Sequence, residues 1–121
     1  MRYMLLIYHD EQAWSALSEA ERQQIYVEYR QLIHQLVAGG QYLAGDQLQP
    51  AATANTVRLR DGKQMVTDGP FAETREQIGG FFMIEAKSLE EANSIASRIP
   101  SARMGTIEIR PVVESTESAS A

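Results

Sequence analysis

Residues 2–8 read Arg2-Tyr3-Met4-Leu5-Leu6-Ile7-Tyr8, and both alternations along them are apolar: Tyr3, Leu5 and Ile7 on one, Met4, Leu6 and Tyr8 on the other. Successive side chains of a strand point to opposite faces, so a run that is apolar on both reads as a central strand covered on both sides. Residues 9–17, HDEQAWSAL, then read as a polar connection carrying the one tryptophan, Trp14. Ser18 followed three residues later by Glu21 has the spacing of a capping box, and Ile25, Tyr29, Leu32, Ile33 and Leu36 continue as the inner stripe of a helix that Gly39-Gly40 ends. A short strand, QYLAG at 41–45, leads to a loop with Pro50. ANTVRLR at 54–60 and KQMVT at 63–67 flank Asp61-Gly62, a two-residue hairpin signal because the tight turn wants positive φ. A long polar loop, TDGPFAETREQIGG at 67–80, precedes a second doubly apolar strand, GFFMIEA at 80–86. Ser88 with Glu91 opens another helix, whose inner face is Leu89, Ala92, Ile95, Ala96 and Ile99 and which Pro100 stops. TIEIRPVV at 106–113 is the last strand, with Ile107 and Ile109 on one face and Glu108 and Arg110 on the other. ESTESASA at 114–121 has nothing to bury and reads as a disordered tail, leaving one domain over residues 1–113.

The order is strand, helix, short strand, hairpin, strand, helix, strand. Two helices separated by antiparallel strands predict a ferredoxin-like α+β sandwich, two layers with both helices on one face of the sheet. The other face then carries Met4, Leu6 and Tyr8 or their alternates, with Phe81 and Met83 or Phe82 and Ile84 beside them. Either a second copy of the chain or the loop at residues 45–55 must cover that surface; a homodimer is the simpler expectation.

Composition narrows the function. The chain of 121 residues has 11 Lys and Arg against 16 Asp and Glu, a net charge of −5, which argues against a nucleic-acid partner. No apolar run approaches the roughly 20 residues needed to cross a bilayer, so no membrane partner is expected. The acidic flank of the first apolar stretch is unlike a signal peptide. With no cysteine there is no disulfide, thiol nucleophile or cysteine-held metal, and cytoplasm is the expected compartment. Two histidines, His9 and His34, leave little for an imidazole metal site, so neither metal nor cofactor is expected. No phosphate-cradling glycine loop and no G-x-S-x-G is present.

Asp68-Gly69-Pro70-Phe71-Ala72-Glu73-Thr74-Arg75-Glu76, followed by Gly79-Gly80-Phe81-Phe82, resembles the signature of the DGPF branch of the YCII-related proteins. The likeness runs from the opening MRYMLLIY through Ala44-Gly45, Asp61-Gly62 and Ile99-Pro100 to Glu108-Ile109-Arg110-Pro111, to about residue 114. It implies a ferredoxin-like fold dimerising through its sheets into an α/β-barrel-like assembly. On function it implies less. One related enzyme removes chloride from a chlorinated hydroxyhydroquinone, a His–Asp pair has been proposed for YCII-like members, and DGPF proteins often lie beside extracytoplasmic-function sigma factors. The proposed histidine lies on the first helix, where this chain has Tyr29, so that role passes to no residue here.

Among the residues themselves, Asp68 enters a Gly-Pro corner, where its carboxylate either acts as a general acid or base or holds the turn by bonding backbone N–H groups. His9, at a strand end beside Asp10, would be its acid–base partner, or merely an exposed histidine. Arg110 could stabilise an anion and Glu108 pair with it, or the two could form a structural salt bridge. Tyr8, Trp14 and Tyr29 could line an apolar pocket with hydroxyl tips; ordinary core packing is the other reading of Tyr29. Phe71 is a plug in the core or dimer interface, or a substrate platform. Arg75 and Glu76 are a solvated loop, or reach a ligand across the dimer. His34 faces away from the helix stripe. Two functions follow: a small cofactor-independent enzyme doing acid–base elimination or isomerisation on a small oxygenated or aromatic molecule, or a non-catalytic module that senses a ligand or binds a regulatory protein of a sigma-factor stress system.

Overall fold

The computed structural model describes residues 1–114. Six strands and three helices run β1 (Arg2–His9), α1 (Glu11–Ala16), α2 (Glu19–Ala38), β2 (Tyr42–Gln47), β3 (Asn55–Arg60), β4 (Lys63–Asp68), β5 (Gln77–Glu85), α3 (Leu89–Ser97) and β6 (Thr106–Pro111). The main sheet has the order β2-β5-β1-β6 and every pair in it is antiparallel. With α2 following β1 and α3 following β5, this is the ferredoxin-like arrangement; β3 and β4 form a separate two-stranded hairpin inserted between β2 and β5.

The doubly apolar strands take the two central places. Tyr3, Leu5 and Ile7 are buried against the helices, with Phe82 and Ile84 of β5 beside them, and Leu32 and Leu36 of α2 and Ala92, Ile95 and Ala96 of α3 complete the core. Met4, Leu6 and Tyr8 share the other face with Phe81 and Met83, all partly exposed in a single chain. Ile107 and Ile109 pack toward the core, which leaves Glu108 and Arg110 on the non-helical face.

The caps behave as their chemistry dictates. Ser18 Oγ accepts from Glu21 N and the Glu21 carboxylate accepts from Ser18 N, closing the capping box of α2. Ser88 caps α3, but the Glu91 carboxylate accepts from Lys87 N and Gln41 Nε2 instead, tying α3 to the chain between α2 and β2. The hairpin turns at Asp61 and Gly62, at φ of 51° and 73°. One element departs from the sequence expectation: the connection after β1 contains α1. Asp10 causes it, accepting from Gln12 N and Ala13 N as an N-cap. The tail lies outside the described residues except for Glu114, whose carboxylate accepts from Arg2. No helix among the described residues is long and apolar enough to cross a membrane.

Candidate functional site

The inner face of β1 ends on His9, beyond the point where core side chains fill the space between sheet and α2. There a pocket of about 280 Å³ opens between β1, α1, α2, β2 and β5. Tyr26, Tyr29, Arg30 and Ile33 enter it from α2 at the i, i+3, i+4, i+7 spacing of one helix face. Tyr42, Asp46 and Gln47 come from β2, Phe82 from β5 and Ser101 from the turn after α3.

A bulge in β5 sets the position of His9. Ile7 pairs with Gly80 and Tyr8 with Ile78, so Gly79 is the extra residue, and its carbonyl accepts from Leu48 N at 2.8 Å. The imidazole occupies the space a side chain at Gly79 would fill: a Cβ there would lie 2.5 Å from His9 Cε1 and 2.9 Å from both ring nitrogens. The Trp14 indole stacks parallel to it, with centroids 6.0 Å apart and planes 4° from coplanar. Neither ring nitrogen has a hydrogen-bond partner among the described residues, and no unpaired side-chain nitrogen or oxygen among them is buried. Both nitrogens are thus free to meet a ligand. Gly45 makes similar room for Tyr42, whose hydroxyl and the Phe82 ring leave no space for a Cβ.

The walls are aromatic and the tips polar. Trp14 meets Tyr26 edge to face, and Tyr29 and Tyr42 each meet Phe82 the same way. The Tyr26 hydroxyl accepts from Gln47 Nε2 at 3.2 Å, and the Tyr29 hydroxyl lies 2.6 Å from Ser101 Oγ. Burial pushes the Tyr29 hydroxyl above the ordinary phenol range, and burial followed by the Asp46 carboxylate does the same at Tyr42. Both phenols therefore stay neutral and able to donate across the usable pH range. No cluster of three or more potential metal-binding side chains occurs among the described residues.

The pocket brings together three of the residues singled out from sequence: His9, Trp14 and Tyr29. The others lie elsewhere. Asp68 is exposed at the end of β4, lines no part of the pocket, and its carboxylate has no partner among the described residues. The physical reason is that β4 belongs to the detached hairpin, so the acid neither faces His9 nor holds the Gly-Pro corner. Thr56 Oγ1, donating to the Gly69 carbonyl, and Gly69 N, donating to the Ala54 carbonyl, hold that corner instead. Tyr8, Glu108 and Arg110 meet on the non-helical sheet face, where the Tyr8 hydroxyl and Arg110 Nε each donate to Glu108 at 2.9 Å. The arginine, then the tyrosine, hold the Glu108 carboxyl below its ordinary range. Phe71 is exposed, with the Arg58 guanidinium 4.9 Å above its ring. Arg75 Nε donates to Asp10 at 3.2 Å, and Glu76 accepts from Thr106 Oγ1. Tyr26, Arg30, Tyr42, Asp46 and Gln47 were not anticipated. The helical spacing of Tyr26, Tyr29, Arg30 and Ile33 was the available signal.

Asp10 links this site to pH. The Ala13 backbone N–H, then Arg75, hold its carboxyl below the ordinary carboxylate range. A lowered native pKa means the cap stabilises α1 fully above the unfolded value near 3.9 and loses that contribution as pH falls through the native value. Acidification below about pH 4 is therefore expected to release α1 and its Trp14 stack before the core unfolds. Emission of the single tryptophan would change at higher pH than far-ultraviolet circular dichroism; coincident transitions would contradict this.

Residues 1–116 match the family model of the YCII-related domain. An uncharacterized protein of Rhizobium meliloti (strain 1021) is 36% identical over 114 residues, covering 93% of this chain and 92% of that one. Among solved structures, the 5-chloro-2-hydroxyhydroquinone dehydrochlorinase of Burkholderia phenoliruptrix AC1100, in complex with 2,5-dihydroxybenzoquinone, superposes with a TM-score of 0.55 at 14% identity, covering 97% of this chain and 98% of that one. At that identity the likeness is one of fold.

Proposed function

This chain belongs to the YCII-related domain family, and from that premise we propose that it is a small enzyme acting by acid–base chemistry, elimination or isomerisation, on a single-ring aromatic or oxygenated molecule held in the His9 pocket. The observation that carries this reading is the imidazole itself, packed against Gly79 and parallel to the Trp14 indole, with neither nitrogen engaged among the described residues. A base held in one orientation beside a bound carbon acid removes its proton without first losing rotational freedom. Imidazole is the side chain suited to exchange protons near neutral pH.

The size of the pocket supports the substrate class. An apolar cavity of about 150 Å³ holds benzene, so 280 Å³ takes one ring with several oxygen substituents. Aromatic walls favour a planar ring, and in this reading the Tyr42 and Tyr26 hydroxyls, both on residues lining the pocket, meet its oxygens. The dehydrochlorinase of the same fold holds a molecule of this kind, 2,5-dihydroxybenzoquinone. In this proposal His9 moves the proton, Tyr29 and Ser101 shape the floor, and Trp14 closes one side. Asp68 has no part in the chemistry.

We also propose that the chain pairs as a homodimer through its non-helical face, where Met4, Leu6, Phe81 and Met83 stay partly exposed in a single copy.

Titration with dihydroxybenzoquinone and with substituted hydroquinones, read by Trp14 emission and by product analysis, tests the function. Expected are quenching in the wild type, retained binding but at least ~100-fold slower turnover in His9→Ala, and wild-type behaviour in Asp68→Asn. Turnover untouched by His9→Ala would overturn the catalytic assignment. Tight binding of such a ring with no turnover would replace it with a ligand sensor.

A further inference from the structure

The β3–β4 hairpin carries apolar side chains that a single chain leaves in water. Val57, Leu59 and Val66 are 57%, 67% and 57% exposed, and Phe71 is 74% exposed. Val57 pairs across the hairpin with Val66, so these two and Leu59 share one face, while Phe71 lies under Arg58 on the other. A two-stranded ribbon with both faces wet is marginal alone, and an apolar patch of this kind marks a contact surface. The base of the ribbon is nevertheless braced: Thr56 Oγ1 donates to the Gly69 carbonyl at 2.9 Å and Gly69 N donates to the Ala54 carbonyl at 2.7 Å. A pre-formed, detached element loses less on docking than a loop that must first be ordered.

We propose that the hairpin is an arm that closes over a second copy of this chain, adding a contact of its own to the sheet pairing proposed above, on which it rests. Charge selects that occupant. Between Val57 and Val66 the hairpin carries Arg58, Arg60 and Lys63 against a single acid, Asp61, in a chain whose net charge is −5. The body beneath it is therefore more acidic than the whole. Two such bodies brought together repel, and a basic arm reaching from each onto the other puts opposite signs face to face at the contact. A two-fold axis repeats the contact, so both arms are covered at once.

Sedimentation equilibrium and hydrogen exchange of the full chain test this, with three variants. Leu59→Ser with Val66→Ser, and separately Arg58→Glu with Arg60→Glu, are each expected to weaken dimerisation at least tenfold while Trp14 emission and circular dichroism stay those of the wild type. The wild-type dimer is expected to weaken with added salt, and its hairpin amides to lose protection on dilution. Leu6→Asp, on the sheet face, reports on the other contact and is expected to give monomers with unprotected hairpins. A dimer that Leu6→Asp disrupts but the hairpin variants leave unchanged, with hairpin amides exchanging equally in monomer and dimer, would overturn the arm while leaving the sheet pairing intact. A wild-type chain that stays monomeric at high micromolar concentration would overturn both.

Discussion

Gly79→Ala is expected to remove most of the ligand chemistry from the pocket while leaving the fold in place. The added methyl would stand 2.5 Å from His9 Cε1 and 2.9 Å from each ring nitrogen. No non-bonded carbon pair tolerates that separation, so the ring or the backbone must move. Either the imidazole swings out of the pocket or the β5 bulge deforms. Overpacking of this kind costs about 1–3 kcal/mol of stability. The functional cost is larger, because a reacting group misplaced by about 1 Å can lose ~100-fold in rate. Turnover should therefore fall by about that factor, and Trp14 emission should shift as its stacking partner leaves. The readout separates positioning from catalysis: Gly79→Ala should retain a residual rate above that of His9→Ala, and the double variant should be no slower than His9→Ala alone. A Gly79→Ala protein with wild-type turnover and emission would show that the bulge absorbs the methyl and that the imidazole's position does not depend on Gly79.

Leu5→Ala is expected to carry the largest cost in stability. Leu5 is 0% exposed, paired with Phe82 on one side and Ile109 on the other in the centre of the sheet. Truncation leaves a cavity that flanking strands cannot close, at a cost of about 2–5 kcal/mol, out of the roughly 5–15 kcal/mol that holds a domain of this size together. Urea unfolding should show a lower midpoint with an unchanged slope. Leu6→Ala, one residue along, faces away from the helices and should cost the single chain far less. A Leu5→Ala loss below about 1 kcal/mol would mean that β1 is not the centre of the core.

Much of the fold was legible because it rests on short-range rules. The two doubly apolar runs became β1 and β5, the central strands; Ser18 with Glu21, and Ser88, opened helices where their hydroxyls could cap; Asp61-Gly62 turned the hairpin. The helix α1 escapes the sequence pattern, although its cause, an aspartate followed by free N–H groups, is local: apart from Trp14 its six residues are polar or small and show no apolar stripe, and Asp10 beside His9 invites a chemical reading instead. Of the residues lining the pocket, His9, Trp14 and Tyr29 are legible as candidates from residue type and place. An acid before Gly-Pro is a conspicuous local arrangement, yet Asp68 ends a strand that never joins the main sheet.

The order of elements apart from α1, the two-layer sandwich and the identity of the central strands were determined by the sequence alone, because period, caps and turns act between residues a few positions apart. The tertiary structure alone decided which polar residues meet. His9 and Gly79 lie 70 positions apart in the chain and touch only because a single extra residue in β5 shifts its register against β1. Glu108 and Arg110 project away from that pocket because Ile107 and Ile109 take the core side of the same strand. A site assembled from six segments depends on register and packing, which arise from the summed burial of the whole core and leave no pattern in any one stretch of sequence.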